Sequence, residues 1–313
     1  MSIQQPQVIL NTQFSEVGPF SQRIGWDTDF RQLETGQLKA GGTVVTNPTS
    51  SILRVDFNRA LHQVGEAPRD KLTFGIALTE GDQLDWCGTS ITGCSLLNFN
   101  LEQGFDAVSS SRFSGYTLSF DKEAVFKLAA TMGLCGSIDT LLQRDQTWQS
   151  AEIHSAQKHL NAIFSKVRSG DPTLMYENHE FLSQGIIALI IEHLCGLASS
   201  RKTEPLSFRN TALKRALEIL GDPENLPITI AELCYRVEAS PATLQRAFQS
   251  RFNMNTKSYI RARCLSAVRD NLATANPGIP IYKVANHWGF WHMGQFAKDF
   301  RQMFGYLPSD VIR

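Results

Sequence analysis

Phenylalanine recurs at every fourth position near the end of the chain, at Phe296, Phe300 and Phe304. Positions four apart lie on one face of an α-helix, so this spacing predicts a helix with an aromatic inner face. Gly305 follows the last phenylalanine and Pro308 comes shortly after, and both are typical of a helix end. The pattern therefore predicts an amphipathic helix that ends near residue 304 and packs against a core.

A shorter helix is predicted just before this one, from Ile281 to His287. Gly289 and Phe290 separate the two helices, and glycine permits the left-handed backbone that a tight turn needs. Two helices joined in this way are typical of a helix-turn-helix unit. The residues predicted to face outward from the second helix are His292, Met293, Ala297, Lys298 and Arg301.

An earlier segment predicts a second unit of the same kind. Thr229 and Glu232 have the spacing of a capping box, and they open a short helix that ends near Val237. Ser240 is a natural N-cap for the next helix, and Pro241 suits its first position because the missing N–H would have no partner there. The sequence therefore predicts two helix-turn-helix units in tandem.

The outer face of this next helix suits contact with nucleic acid. Leu244, Phe248 and Phe252 repeat every four residues and face the core, and the opposite stripe is Ala242, Gln245, Arg246 and Gln249. Glutamine can bond adenine, and arginine can bond guanine or a phosphate. Residues 206–313 have 14 Lys and Arg against 8 Asp and Glu, which favours a polyanionic partner. An ordinary solvated helix face is the alternative interpretation of the stripe.

Residues 212–313 resemble the AraC/XylS family of transcription regulators. The matching motifs are A-E-L in the first unit, S-P-A-T-L-Q-R-A-F in its second helix, and R-x-x-x-A at Arg263 and Ala267 in a predicted spacer helix, about Thr256 to Leu272. The most specific is V-A-x-x-W-G-F followed by F-x-x-x-F-x-x-x-F-G-x-x-P. The run W-G-F-W-H-M-G-Q-F is similar to the subgroup that contains the ethanolamine-utilisation regulator.

The resemblance implies one polypeptide that presents two recognition helices to successive segments of the DNA major groove. By position, Ala242, Gln245 and Arg246 match DNA-facing places of the family in the first unit. His292, Met293, Ala297 and Lys298 match them in the second unit. Two departures are His292, where many relatives have Asp or Ser, and Gly294, where many have a small polar residue.

The first 120 residues predict short strands such as T-V-V-T and S-I-L-R-V-D-F, separated by turn-prone residues. Helices are predicted from Asp121 onward, with longer ones at about Thr147–Arg168 and Tyr176–Leu197. The expected fold class is α+β. The expected sensor or dimerisation domain has a β-rich, cupin-like barrel to about residue 120 and helices over 121–198, which include a dimerisation segment. A linker is expected at 199–207. An all-α DNA-binding domain with two helix-turn-helix units is expected at 208–313.

The family resemblance implies that the front half, residues 1–198, is a sensor or dimerisation domain. Trp26, Arg54, Asp85 and Trp86 have the aromatic and polar chemistry of a small-molecule site, although each residue type is more often structural. The apolar helix 176–197 is predicted either to form a homodimer or to pack against its own barrel. We expect an activator that responds to a small effector and contacts RNA polymerase. A constitutive dimeric regulator without an effector remains the alternative.

Other classes are disfavoured. A metal-dependent cupin enzyme needs several clustered ligands, but the strand-rich region contains only His62, so we expect neither metal, cofactor nor catalysis. The longest apolar stretch, 185–198, is shorter than the roughly 20 residues of a membrane span. The N-terminus lacks an export signal, and the six cysteines, which form no C-x-x-C pair, are expected to be reduced core thiols. We therefore expect a cytoplasmic protein that binds double-stranded DNA and no membrane.

Overall fold

The computed structural model describes residues 6–100, 104–133, 147–196, 208–274 and 278–312. Their contacts divide them into two compact units. The sheet unit contains the described residues within Met1–Phe30, Lys39–Asn58 and Gln63–Lys202. The helical unit contains those within Arg31–Leu38, Arg59–His62 and Thr203–Arg313. The expected linker at 199–207 lies outside the described residues, so the predicted domain bounds stay predictions.

The described strands form a ten-stranded sheet in the order β1-β3-β4-β9-β6-β8-β5-β2, with β7 paired to β6 and β10. The pairs β1–β3, β3–β4, β4–β9, β6–β9 and β6–β7 are antiparallel. The strands are β1 Gln7–Phe14, β2 Asp27–Gln32, β3 Ala40–Thr46, β4 Ser50–Phe57, β5 Leu61–Glu66, β6 Lys71–Trp86, β7 Thr89–Asn98, β8 Phe105–Val108, β9 Phe113–Asp121 and β10 Thr147–Trp148.

The register of the central strands places β-branched and leucine side chains in one buried row. Ile52 on β4 is opposite Val45 on β3 and Leu118 on β9, and all three are fully buried. Directly opposed apolar residues are the main stabilising pairs of an antiparallel sheet. This row lies in the same core cluster as residues from the helices of the sheet unit.

The described helices of the sheet unit are α1 Val17–Arg23, α2 Lys122–Thr131, α3 Ala151–Arg168, α4 Thr173–Glu177 and α5 Ile186–Gly196. Asp121 caps α2, because its Oδ1 accepts a hydrogen bond from Ala124 N at 3.1 Å. The helix expected from Thr147 begins later, since Thr147 and Trp148 pair with β7 and Ser150 is the N-cap of α3.

The single helix expected at 176–197 is divided in the structure. Asn178 ends α4 and bonds its side-chain amide to Leu174 O at 2.8 Å, which competes with helix continuation. A π-helical turn, Phe181–Gly185, then precedes α5. Four isoleucines of α5 are buried in the core of the sheet unit: Ile186, Ile187, Ile190 and Ile191. Of the two readings of this helix, the described residues support packing within one subunit, and homodimerisation remains a prediction.

The helical unit contains α6 Phe208–Gly221, α7 Ile230–Val237, α8 Pro241–Phe252, α9 Thr256–Thr274, α10 Ile281–His287 and α11 Met293–Phe304. Single 3₁₀ turns lie at Pro223–Asn225 and Pro308–Asp310. The predicted α+β chain, with a strand-rich front and a helical C-terminal region of two helix-turn-helix units, is confirmed. Among the described helices, none combines the length and apolar character needed to cross a bilayer.

Four cysteines have described side chains, and Cys87, Cys94, Cys234 and Cys264 are all free thiols. Burial raises the pKa of the Cys94 and Cys264 thiols to about 11, so both remain protonated at neutral pH. The side chains of Cys135 and Cys195 lie outside the described part of the chain.

Candidate nucleic-acid interface

The first helix-turn-helix unit, α7 and α8, is fixed by side-chain caps. Thr229 Oγ1 accepts from Glu232 N at 3.2 Å and opens α7, and Ser240 Oγ accepts from Thr243 N at 3.2 Å and opens α8. Glu238 adopts the left-handed conformation in the turn between them. The caps and bounds predicted for this unit are therefore confirmed.

Helix α8 has one buried and one exposed face. Its inner residues are Leu244, Phe248 and Phe252, all buried. Its predicted outer stripe is fully on the surface, and consists of Ala242, Gln245, Arg246 and Gln249. Because α8 contains no Asp or Glu, this face offers amide and guanidinium groups without a competing carboxylate.

Within the described residues, Arg246 and Gln249 of this stripe form local hydrogen bonds. Arg246 Nε donates to Ala242 O at 3.2 Å, and Gln249 Nε2 donates to Asn253 Oδ1 at 3.0 Å. Both bonds are exposed, so exchanging them for bonds to a partner costs little. These side chains can therefore change partner without breaking a buried hydrogen bond.

The second unit, α10 and α11, is built around aromatic rings. Gly289 has φ +84°, and a Cβ added there would lie 3.2 Å from the Pro227 side chain, so glycine suits both the turn and the packing. Phe296, Phe300 and Phe304 are buried, with successive ring centroids 5.7 and 4.7 Å apart. The aromatic inner face predicted from the sequence is present.

The outer face of α11 is less uniform than that of α8. His292 and Lys298 are exposed, whereas Met293 and Ala297 are half-buried. His292 is the N-cap residue of α11, but its side chain makes no capping hydrogen bond. Of the four residues predicted to contact DNA in this unit, two are therefore fully available and two are partly covered.

An arginine of α9 neutralises the one acid of α11. Arg261 forms an ion pair with Asp299, and Gln295 Nε2 donates to the other carboxylate oxygen at 2.8 Å. Asp299 is thereby engaged within the protein, which removes a charge that would repel phosphate. The amphipathic pattern gave no signal of this pair, because it joins two helices far apart in sequence.

The other arginines of α9 also bind protein groups. Arg263 is buried and donates to Leu220 O through Nε at 3.1 Å and Nη2 at 2.8 Å, which satisfies carbonyls at the end of α6. The Arg269 guanidinium lies 5.0 Å from the ring centre of Phe304. The arginine of the R-x-x-x-A motif, Arg263, therefore has a structural role.

Trp291 is an exposed aromatic residue that the sequence patterns did not single out. Trp291 is 71% exposed and directly precedes the N-cap of α11. The pattern W-G-F-W predicted the turn but not which of its two tryptophans is buried. In the structure the buried one is Trp288.

The candidate effector residues do not form one cluster. Trp26 and Trp86 both pack against Phe99 and Phe105, with centroid distances from 4.6 to 5.9 Å. Trp86 is buried, and its indole Nε1 has no hydrogen-bond partner in the described part of the chain. These rings form an aromatic cluster within the sheet unit.

Arg54 and Asp85 have other partners. Arg54 bonds Asp56 Oδ1 at 3.0 Å, Tyr116 Oη at 2.8 Å and Asn161 Oδ1 at 2.5 Å. Burial disfavours the charge of Arg54, but Tyr116 and Asp56 outweigh it, so its pKa is raised. Asp85 accepts from Gly88 N at 3.1 Å in a strand turn. Both residues therefore have structural partners.

Comparisons with known proteins agree with this geometry. Residues 233–313 match the family described as "Helix-turn-helix domain". The chain is 32% identical over 130 residues to "XylDLEGF operon transcriptional activator 1" of Pseudomonas putida. This alignment covers 41% of this chain and 39% of that protein. It is 28% identical over 115 residues to "Probable thc operon regulatory protein" of Rhodococcus erythropolis, covering 36% and 35%. The chain thus spans about two fifths of the length of these relatives.

Two solved structures are also similar. The AraC-like transcriptional activator CuxR aligns with a TM-score of 0.43 at 11% identity, over 82% of this chain and 94% of that one. ToxT from Vibrio cholerae O395 aligns with a TM-score of 0.31 at 14% identity, over 92% and 97%. The subgroup suggested by W-G-F-W-H-M-G-Q-F stays a prediction. The family match and the relatives together show that the C-terminal region of this chain contains a helix-turn-helix domain and resembles the AraC/XylS regulators.

Proposed function

We propose that this protein is a sequence-specific DNA-binding transcription regulator. The observation that carries the proposal is that two helices, α8 and α11, have the same amphipathic pattern. Each buries a row of large apolar side chains and exposes a polar, basic face. Both belong to helix-turn-helix units, in which the second helix reads the DNA major groove.

In this proposal, the two exposed faces have distinct roles. Gln245 and Arg246 read base edges, since both can form bidentate bonds to purines. Lys298 and His292 contact phosphates or bases from the second unit, and Ala242, Gln249, Met293 and Ala297 complete the contact surface.

The test starts from the full-length protein and a library of random DNA duplexes. Repeated selection should converge on one motif, and footprinting should then show protection of that motif. Arg246→Ala should weaken binding to it, whereas Arg69→Ala, which removes an exposed arginine of the sheet unit, should not. A library that stays random through selection would overturn the proposal.

Salt provides an independent check. Each phosphate neutralised by Lys or Arg releases counterions, so affinity should fall steeply as salt rises. An affinity that is flat in salt would contradict a phosphate-contacting interface.

A finer proposal concerns a small-molecule effector in the sheet unit. The unpartnered Trp86 Nε1 among aromatic rings suits an apolar or aromatic ligand with one hydrogen-bond acceptor. Small metabolites can be screened by thermal shift on the full chain, because a bound ligand raises the melting temperature by mass action. Trp86→Phe keeps a smaller aromatic ring and removes the N–H, so it should abolish the shift of a ligand bound there. A shift that persists unchanged would locate the ligand elsewhere.

Activation, contact with RNA polymerase and homodimerisation complete the proposal. The names of the Pseudomonas relatives describe transcriptional activators, which favours activation over repression here. Reporter transcription with and without the protein distinguishes the two outcomes, and sedimentation of the purified chain gives the oligomeric state.

A further inference from the structure

Two short segments from the front of the sequence belong to the helical unit. They are Arg31–Leu38 and Arg59–His62, and we call them together the strap. Their contacts within this unit go to both helix-turn-helix units, at two anchor points.

The first anchor is the hydroxyl of Tyr259 on α9. It accepts a hydrogen bond from Arg31 Nη1 at 3.3 Å and lies 2.7 Å from His62 Nδ1. All three residues are buried. The His62 ring also packs against Phe252, the last residue of α8, with ring centroids 5.1 Å apart. The strap therefore meets the end of the first recognition helix.

The second anchor is the last turn of α11. Gln32 Nε2 donates to Met303 O at 2.7 Å and is also within hydrogen-bond distance of two strap carbonyls. The amide of Gly36 donates to Gln302 O at 2.9 Å and to Met303 O at 3.2 Å. The last carbonyls of a helix have no partner within the helix, so the strap supplies the cap that α11 otherwise lacks at these atoms.

The close approach of the strap to this helix end depends on Gly305. This residue has φ +87°, and a Cβ added to it would lie 2.9 Å from the Gln37 side chain and 3.2 Å from its backbone. Any larger residue there would press on the strap as well as strain the helix end.

Arg31 and Gln32 are adjacent in sequence, yet one binds at α9 beside α8 and the other at the end of α11. We infer that the strap is a positioning element, which holds the two recognition helices at one fixed setting and so selects the spacing between the two DNA segments that the protein reads. This inference rests on the proposed DNA binding. Major-groove segments recur once per helical turn, about 10 base pairs, so two linked readers bind together only if their separation fits the duplex.

The test uses the full chain and the duplex obtained by selection. In a series of duplexes, one or two base pairs are inserted or removed between the two halves of the motif. Wild-type affinity should fall about tenfold or more for each altered spacing, because only one reader then engages. Gln32→Met keeps the side-chain length and removes the hydrogen-bond donor. The variant protein should bind the native duplex more weakly, and its affinities for the different spacings should differ by less than about threefold.

Two further variants make the result decisive. Gln13→Met changes an exposed glutamine on β1 and should behave as the wild type. His62→Phe keeps an aromatic ring against Phe252 and removes Nδ1. This variant therefore tests the other anchor even if Gln32→Met fails to fold. Strap variants that retain wild-type affinity and spacing preference overturn the positioning role while leaving DNA binding intact. A wild-type chain that selects no duplex overturns the proposed function itself, and the inference with it.

Discussion

The two helix-turn-helix units achieve the same shape by different means. The first is capped by its own side chains, with Thr229 opening α7 and Ser240 opening α8. The second opens at His292 without a side-chain cap, and its end is capped by the strap. The helix starts of the first unit are therefore capped locally, whereas the end of α11 is capped by residues distant in sequence.

Their outer faces differ in the same way. Helix α8 has no acid, so its face is basic without help. Helix α11 contains Asp299, which becomes harmless to a phosphate partner only because Arg261 of α9 pairs with it. The charge of the outer face of the second unit therefore depends on a residue outside that unit.

The largest expected effect comes from removing a buried phenylalanine ring. Comparing such variants of the two units tests whether both depend equally on their buried rings. Phe248→Ala and Phe300→Ala should each lower the free energy of unfolding by about 3–5 kcal/mol, because each removes a fully buried ring and leaves a cavity. Denaturant unfolding of the full chain measures this, and Gln245→Ala, an exposed position on α8, is the control. A cost below about 1 kcal/mol for Phe300→Ala alone would mean that the aromatic ridge does not hold the second unit together.

The next effect compares the two DNA-facing sides. Arg246→Ala should weaken binding to the selected duplex by roughly 1–3 kcal/mol without lowering thermal stability, as expected for loss of a base contact. Lys298→Ala should weaken binding to all sequences alike and reduce the salt slope by about 1, as expected for loss of a phosphate contact. Titrations at several salt concentrations separate the two. If Arg246→Ala weakens specific and random duplexes equally, base reading belongs to other residues.

The contrast between the units also explains which features the sequence could predict. The bounds of α7, α8, α10 and α11 follow from signals a few residues apart, such as Ser240 before Pro241 and Gly305 after the phenylalanines. Predictions from these signals were confirmed because caps and helix ends are local physics.

Most of the missed features depend on contacts between residues far apart in sequence. The bond from Gln32 to Met303 joins residues 271 apart, and no periodic pattern encodes such a partner. The half-burial of Met293 and Ala297 was missed because helical spacing gives the side of a helix but not how far neighbours extend around it. The break at Asn178 was missed because a continuous apolar run outweighed one capping residue.

A smaller effect concerns the N-caps. Ser240→Ala should destabilise the helical unit by about 1 kcal/mol, since Thr243 N loses its partner. His292→Ala should cost much less, because the histidine side chain makes no capping bond. The reverse change, His292→Ser, should stabilise the unit by about 1 kcal/mol. Equal losses for the two alanine variants would show that the units are capped alike in solution.

The smallest expected effect is at Gly294, in the first turn of α11. A Cβ added there meets no atom within 4 Å, and its backbone does not need glycine. Gly294→Ala should therefore stabilise the helical unit by roughly 0.5–1 kcal/mol, because alanine loses less conformational freedom on entering a helix. The matched control is Gly305→Ala at the other end of the helix, which should destabilise it through the left-handed backbone and the contact with Gln37. Thermal unfolding should show a higher melting temperature for Gly294→Ala and a lower one for Gly305→Ala. This result is expected if weak helix formation limits the start of α11 and the strap fixes its end. A loss of stability in both would mean that the first turn is already constrained by contacts other than its own backbone.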